Sequence, residues 1–221
     1  MKKIKLAYQQ VRLPAGELSS YRIELGRREI ATFKNLLGLT GRQIPGDGGV
    51  FLDVGCGDRH LEPAISDLRC RYIGLDIDTT NFETDAFPLE DLSVDAAISL
   101  AVLEHLHDPE LFLSEIYRCL KPGGAIYLST PNFQYDWRNF YNDPTHVRPY
   151  TPISLKKLLS LSGYKDVEVF PGPRCKPLWY YKGDLKFWKA FYLLPFRSDT
   201  KWVPPFLKGH ARSIFAIGFK K

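Results

Sequence analysis

The run Val50-Phe51-Leu52-Asp53-Val54 leads directly into Gly55-Cys56-Gly57-Asp58, and a second apolar run, Tyr72-Ile73-Gly74-Leu75, ends on Asp76. This order reads as strand, glycine turn, helix, strand, carboxylate. An open α/β sheet uses that arrangement to hold an adenosine-containing cofactor at the carboxyl edge of its strands. Gly55 and Gly57 carry no Cβ, so the backbone can turn tightly there and come close to a ligand. Asp76 follows the glycines by roughly 20 residues, the distance at which a carboxylate meets ribose hydroxyls. A dinucleotide fingerprint asks for a third glycine at the helix start, and His60 stands there instead, which disfavours NAD.

The rest of the chain continues the α/β pattern. Ile23, Ile30, Phe33 and Leu37 recur at helical spacing before the first strand, so a helix is expected over 18–38, with Gly38 as its stop. Asp76 to Asp85 is too short for another full helix and strand, which leaves only a short edge strand over Asn81 to Thr84. Ala96 to Leu100 reads as a central strand. Asp108-Pro109 opens a helix that Leu113, Ile116 and Leu120 bury, and Lys121-Pro122-Gly123-Gly124 separates it from a strand over Ala125 to Thr130. Thr151-Pro152 begins the next helix, Asp166 to Phe170 the next strand, and Ser213 to Phe219 the last strand. Pairing of those two strands makes 171–212 an insertion far longer than a hairpin loop.

Together, Phe51 to Gly57, Ile73 to Asp76, Asp85-Ala86-Phe87-Pro88-Leu89, Val94 to Ser99, Val102-Leu103-Glu104-His105 and Leu120 to Gly124 resemble the class I S-adenosylmethionine-dependent methyltransferases. The likeness extends over Val50 to Phe170 and takes in small bacterial members associated with sugars and surface polysaccharides and ubiquinone-pathway members. It implies a Rossmann-like α/β open sheet, mostly parallel with an antiparallel C-terminal strand, in a single domain over 1–221 with a reduced third βα unit. It further implies that S-adenosyl-L-methionine is the cofactor, with Gly55 and Gly57 at its methionine end, Asp76 on the ribose, Asp85 and Ala86 beside the adenine, and Asp53, Ile77 and Leu100 completing the donor set. Asp58-Arg59-His60 departs from the pattern, since many relatives carry another glycine there.

Methyl transfer needs donor carbon and acceptor atom in line and water kept out. A hydroxyl acceptor must also lose a proton, and histidine is the natural base near neutral pH. His146, in the polar loop Asn142 to Tyr150, is the first candidate, with Asp143 and Arg148 orienting it or the acceptor and Tyr150 lining the pocket. His105, beside Glu104 just after the fourth strand expected for such a sheet, is the second. Each has a purely structural alternative, as a loop histidine bonded to backbone or as a brace for the next helix. His107, His60 and His210 read as solvated loop, helix-start and tail residues. The spacing of His105, His107 and Asp108 resembles a ligand set, but short loop spacing without a remote partner gives no metal site. The Asn/Asp-Pro-Pro-aromatic motif of base N-methyltransferases is absent after Ser99, which favours oxygen methylation, and the resemblance to sugar-associated members implies a sugar or glycan precursor as the acceptor. A quinone or lipid-like acceptor is the alternative enzyme reading, and a donor-binding interaction protein without catalysis the non-enzymatic one.

The net charge of +5 is uneven: 174–221 holds eleven basic and two acidic residues of the chain's 30 and 25. Within that tail, Leu185, Trp188, Phe191 and Tyr192 form an apolar stripe flanked by Lys182, Lys186 and Lys189. The stripe suits ordinary core, a lid or homodimer surface, or peripheral membrane contact through 179–206 at the inner face of the membrane. Nucleic acid is a weaker partner, because no recognised binding module accompanies the basic residues. Cys56, Cys70, Cys119 and Cys175 show no ligand-like or disulfide spacing, and Met1 to Lys5 is not followed by a signal-peptide core, so a cytoplasmic protein is expected.

Overall fold

Alternation of side chains between two faces makes strands of the apolar runs. The computed structural model describes residues 18–172, 196, 202–203 and 211–221. Strands β1 (Val50–Val54), β2 (Arg71–Leu75), β3 (Val94–Leu100), β4 (Leu120–Pro131), β5 (Lys165–Pro171) and β6 (Ser213–Phe219) form one sheet in the order β2-β1-β3-β4-β6-β5. The first four are mutually parallel, and β6 runs antiparallel to both β4 and β5. This is the mostly parallel, Rossmann-like sheet expected from the sequence.

The helices are α1 (Ser20–Leu39), α2 (Glu62–Asp67), α3 (Glu110–Cys119), α4 (Phe133–Phe140) and α5 (Pro152–Leu161), with a 3-10 turn over Leu103–His105. Phe51, Ala96, Ile98, Tyr127, Phe215 and Ile217 face one side, where Ile30, Phe33, Leu36 and Leu37 of α1 cover them with Ala64 and Ile65 of α2. Leu52, Val54, Ala97, Ile126, Leu128 and Ile214 face the other, under Phe112, Leu113 and Ile116 of α3 and Leu155 and Leu159 of α5. Burial on both faces is what allows the strands to be nearly continuous in apolar residues. Helix α5 starts on a reciprocal cap: Thr151 Oγ1 accepts from Ser154 N, and Ser154 Oγ accepts from Thr151 N.

Several local expectations are corrected. Helix α1 is shifted from 18–38: Ser19 caps its start, and Gly38 does not stop it, because the chain continues to Leu39 before Thr40 turns back onto the Leu37 carbonyl. Asn81 to Thr84 is a turn and not an edge strand. Its backbone groups are consumed locally, with Asn81 O accepting from Thr84 N and Asp85 N, and Asp85 Oδ2 accepting from Asn81 N. The third βα unit is thereby reduced to a loop. The glycine pair at 123–124 does not separate helix from strand. Strand β4 already pairs at Leu120, and the register slips between Val94 and Ala96 as Gly123 adopts φ +80°. Helix α4 was not anticipated, and neither was the turn over Leu103–His105.

The insertion at 171–212, with its apolar stripe, the contact region 179–206, Cys175 and His210, lies almost wholly outside the described residues; of it, Trp202 and Phe196 are exposed. No described helix is long and apolar enough to cross a membrane.

Phe33 is fully buried and stacks on Tyr127 with ring centroids 4.7 Å apart, tying α1 to the sheet centre. Phe33→Ala should lower stability by about 3–5 kcal/mol in chemical denaturation. A loss under about 1 kcal/mol would mean that α1 does not depend on this contact.

Candidate active site

The carboxyl ends of β1, β2 and β3 converge on the glycine turn. Gly55 N and Cys56 N both donate to Leu75 O, closing the end of β1 onto the end of β2. Gly55 adopts φ +84°, and a Cβ on it would lie 2.2 Å from Val102 Cγ2, so only glycine fits beneath the chain leaving β3. Gly57 also has positive φ, and a Cβ there would meet nothing within 4 Å, so its backbone faces open space. Asp76 reaches across to this turn, with Oδ2 accepting from Gly57 N at 2.7 Å and Oδ1 from Ile77 N at 2.6 Å. A carboxylate offers roughly four acceptor positions, so ribose hydroxyls can share an oriented group of this kind. The glycine turn and the strand-ending acid are thus assembled as the sequence pattern implies, and the cradle fits an adenosine-containing donor.

Asp53 lies one layer deeper. It is buried, accepts from Tyr72 Oη at 2.8 Å, and burial pushes its carboxyl up to about 7. Leu100 is partly buried at the end of β3, while Asp85 and Ala86 are exposed on the loop after Asn81. The Asn81 amide and the Thr84 hydroxyl hold the Asp85 carboxyl below the usual range.

The unusual Asp58-Arg59-His60 segment has a structural explanation. Arg59 takes the left-handed φ of +61°, which favours glycine, and is held there by a two-pronged bond to Glu62 and by its position 4.9 Å over the Tyr72 ring. Asp58 receives both Nε and Nη2 of Arg22 from α1, and it also faces His60 Nδ1 at 3.0 Å. Burial alone would raise the Asp58 carboxyl, but the Arg22 bonds hold it below its ordinary value. His60 therefore belongs to a clamp between α1 and the turn and does not start α2, which begins at Glu62.

Beyond Val102, the 3-10 turn carries Glu104 and His105 against the loop that follows α4. Glu104 O accepts from Val147 N and Arg148 N, which fastens the loop to the turn. The Glu104 side chain is only 1% exposed; Oε2 accepts from Thr130 Oγ1 at 3.0 Å, and burial pushes the carboxyl up to about 7. The His105 and His146 ring centroids lie 4.8 Å apart. His146 Nδ1 is 2.7 Å from Phe140 O, an atom that only accepts, so Nδ1 carries the proton. His105 Nδ1 lies 3.2 Å from Thr145 O and 2.9 Å from Thr145 Oγ1. Thr145 Oγ1 gives its own proton to Asp143 Oδ1 at 2.6 Å, so Asp143, Thr145 and His105 form a directed chain. Burial and the neighbouring His146 both lower the His105 pKa.

Four of the residues singled out at the acceptor side thus meet: Glu104, His105, His146 and Asp143. Arg148 Nη1 donates to His107 O at 2.6 Å. Tyr150 is buried, and its hydroxyl has no hydrogen-bond partner among the described residues. His107 is exposed, and Asp108 accepts from Glu110 N at the start of α3. Sequence reasoning missed the linking role of Thr145, the Phe140 carbonyl and the Arg22 clamp. A Thr-His pair in a loop was the one visible sign of the first.

Because the folded chain keeps a proton on Asp53 that the unfolded chain has lost, stability should fall as pH rises from about 4 to about 7 and then level off. Asp53→Asn, which still offers an acceptor to Tyr72, should remove roughly 2–4 kcal/mol of that fall when urea unfolding is compared at about pH 5 and pH 8. An unchanged pH dependence would place the titration elsewhere.

A family model described as a methyltransferase domain matches residues 22–169. A protein of Mycolicibacterium smegmatis described as a probable S-adenosylmethionine-dependent methyltransferase is 33% identical over 136 residues, covering 53% of this chain and 52% of its own length. A ubiquinone biosynthesis O-methyltransferase of Brucella ovis is 32% identical over 107 residues, covering 40% of this chain and 43% of its own. The chain thus spans about half the length of the curated relatives it matches. In structure, a SAM-dependent methyltransferase from Archaeoglobus fulgidus superposes with a TM-score of 0.60 at 21% identity, covering 87% of this chain and 94% of that one, which bears on the fold. The matched model extends over the donor turn, the strand-ending acid and the histidine loop alike, and the chain belongs to the S-adenosylmethionine-dependent methyltransferase domain family.

Proposed function

We propose that this domain transfers a methyl group from S-adenosylmethionine to a hydroxyl oxygen of a sugar or glycan precursor. The observation that carries the oxygen assignment is the pair of imidazoles at 4.8 Å, both with Nδ1 facing a backbone carbonyl oxygen, beside the buried carboxyl of Glu104. Such a cluster is suited to an acceptor that must be deprotonated, whereas a neutral amine can attack without a base.

The bound donor supplies an electrophilic methyl group on a sulfonium sulfur. Gly55 and Gly57 give it a close backbone surface, Asp76 takes the ribose hydroxyls, and Asp85 and Ala86 border the adenine. Val102 packs over Gly55, and His105 follows three residues later, so donor turn and acceptor cluster share one short segment. His146 and His105 are the candidate bases: the Phe140 carbonyl fixes the tautomer and ring plane of the first, and Asp143 acting through Thr145 those of the second. His146, Glu104, Arg148 and Tyr150 shape the acceptor side. Half-exposed Trp137 and Tyr141 near the loop offer flat apolar faces of the kind that pack on sugar rings. A quinol acceptor is the second reading, favoured by the O-methyltransferase similarity.

Radiolabelled donor offered with nucleotide-linked sugars, glycan fragments and catechol-type quinol analogues separates these readings. Label in the sugar fraction supports the first, label in the quinol fraction the second, and donor binding without transfer to any hydroxyl acceptor contradicts both. Asp76→Ala should weaken donor binding by about 10- to 100-fold in calorimetry, because a charged acceptor for two hydroxyls is lost. Unchanged affinity would remove Asp76 from the site. Thr145→Val should reduce kcat by about tenfold or more with little change in donor affinity, and wild-type turnover would exclude the Asp143–Thr145–His105 chain from the reaction.

A further inference from the structure

We infer that Glu104, His105 and His146 form a site for one divalent transition-metal cation that activates the acceptor hydroxyl. The inference rests on the acceptor side proposed above and adds how the proton is made labile. One carboxylate oxygen and one ring nitrogen from each histidine all lie within 4.8 Å of one another. Ligands around a single ion at about 2.0–2.2 Å stand about 3–3.5 Å apart, so small side-chain rotations complete the set.

Three features of the cluster suit a cation better than a bare base. The first is tautomer control. Histidines that bind metals usually donate their other ring N–H to a carbonyl or carboxylate, which fixes the ring and directs the remaining lone pair at the ion. His146 donates from Nδ1 to Phe140 O, and His105 donates from Nδ1 to Thr145, which is bonded in turn to Asp143. Both rings therefore carry the lone pair on Nε2. The second is charge. Glu104 is buried beside Thr130, and among the described residues no lysine or arginine pairs with it. A buried carboxylate without a counter-charge is costly, and a dication supplies one. Asp143, whose Oδ2 lies 3.9 Å from His146 Nε2, adds further negative potential. The third is donor chemistry. Two imidazoles and one carboxylate match Zn²⁺, Mn²⁺, Fe²⁺ or Co²⁺, whereas Mg²⁺ and Ca²⁺ prefer oxygen alone. Three protein ligands leave a position open for an acceptor oxygen.

The ligand-like run visible in the sequence, His105, His107 and Asp108, is a different set. His107 is exposed and Asp108 is committed to a helix start, while the third ligand comes from a loop 41 residues further along the chain. With a cation present, the histidines act as ligands and not as bases. The acceptor oxygen would bind the cation, its O–H would become more acidic and lose its proton to solvent, and the oxygen electron pair would bond the methyl carbon as the carbon–sulfur bond breaks, its electron pair returning to sulfur and neutral S-adenosylhomocysteine leaving.

The test uses the full chain stripped with a chelator and titrated with Zn²⁺ by calorimetry, and with Co²⁺ by visible absorption. One ion per chain with ligand-field bands of a nitrogen and oxygen site is expected. His146→Ala, a loop change checked for folding by circular dichroism, should weaken uptake by about tenfold or more, as should Glu104→Gln, while His107→Ala should leave it unchanged. Absence of stoichiometric uptake, or uptake insensitive to His146→Ala, overturns the site. Methyl transfer that persists in chelator with an unchanged pH profile also overturns the cation's role while leaving the hydroxyl reading intact. Stoichiometric uptake in a protein that methylates no hydroxyl would instead support the site and contradict the proposed reaction.

Discussion

The bond from Gly57 N to the Asp76 carboxylate joins the ends of two neighbouring parallel strands and sets the geometry of everything at the carboxyl edge. It exists because Gly55 and Gly57 take backbone conformations that side-chain-bearing residues adopt rarely, with φ +84° and +53°. The same turn leaves room for Val102, which would collide with any Cβ at Gly55, and Val102 leads straight into the segment carrying Glu104 and His105. The glycine turn and the segment carrying Glu104 and His105 are therefore packed together through the Val102 side chain, and a side chain at Gly55 would be felt at both.

Around that edge the molecule uses ion pairs to hold pieces that apolar packing alone would leave loose. Arg22 clamps α1 to the turn through Asp58, and Arg118 of α3 bonds Glu115, Asp91 and the Phe87 carbonyl, fixing the loop that follows Asp85. That loop replaces a missing helix and strand, so its carbonyls need partners that a regular βα unit would have satisfied internally. The hydrogen-bonded chain from Asp143 through Thr145 to His105 does the corresponding work for the loop that follows α4.

Much of this was legible in the residues. The last strand, Ser213–Phe219, and the capped helix after Thr151 have the bounds and start that period and turn chemistry imply. The central strand after Asp95, the antiparallel final pair and the glycine–acid pairing were equally visible, because each depends on local pattern. What escaped depends on contacts distant in sequence or on polar groups that bond locally. Asn81 to Thr84 has strand-like length, yet Asp85 folds it back as a turn. Helix α4 is only eight residues long, rich in polar and aromatic side chains, and interrupted by non-helical backbone angles at Asp136. At the site, His146 and Asp143 were recognisable as residue types, but their arrangement was not. Asp143 serves His105 through Thr145, 40 residues away from that histidine, and Arg148 turns to the His107 carbonyl. Arg59 shows the converse: where glycine is usual, an ion pair and an aromatic face hold a large residue in the left-handed region.

The central claim is that one carboxyl edge presents a nucleoside cradle at Asp76 and, next to it, a histidine cluster facing the reacting group. A crystal structure of the chain with S-adenosylhomocysteine tests it most directly. The account predicts ribose hydroxyls on the Asp76 carboxylate, the amino-acid portion against Gly55 and Gly57, and the sulfur opening toward His105 and His146. Ligand bound elsewhere, or a sulfur turned away from both imidazoles, would contradict it.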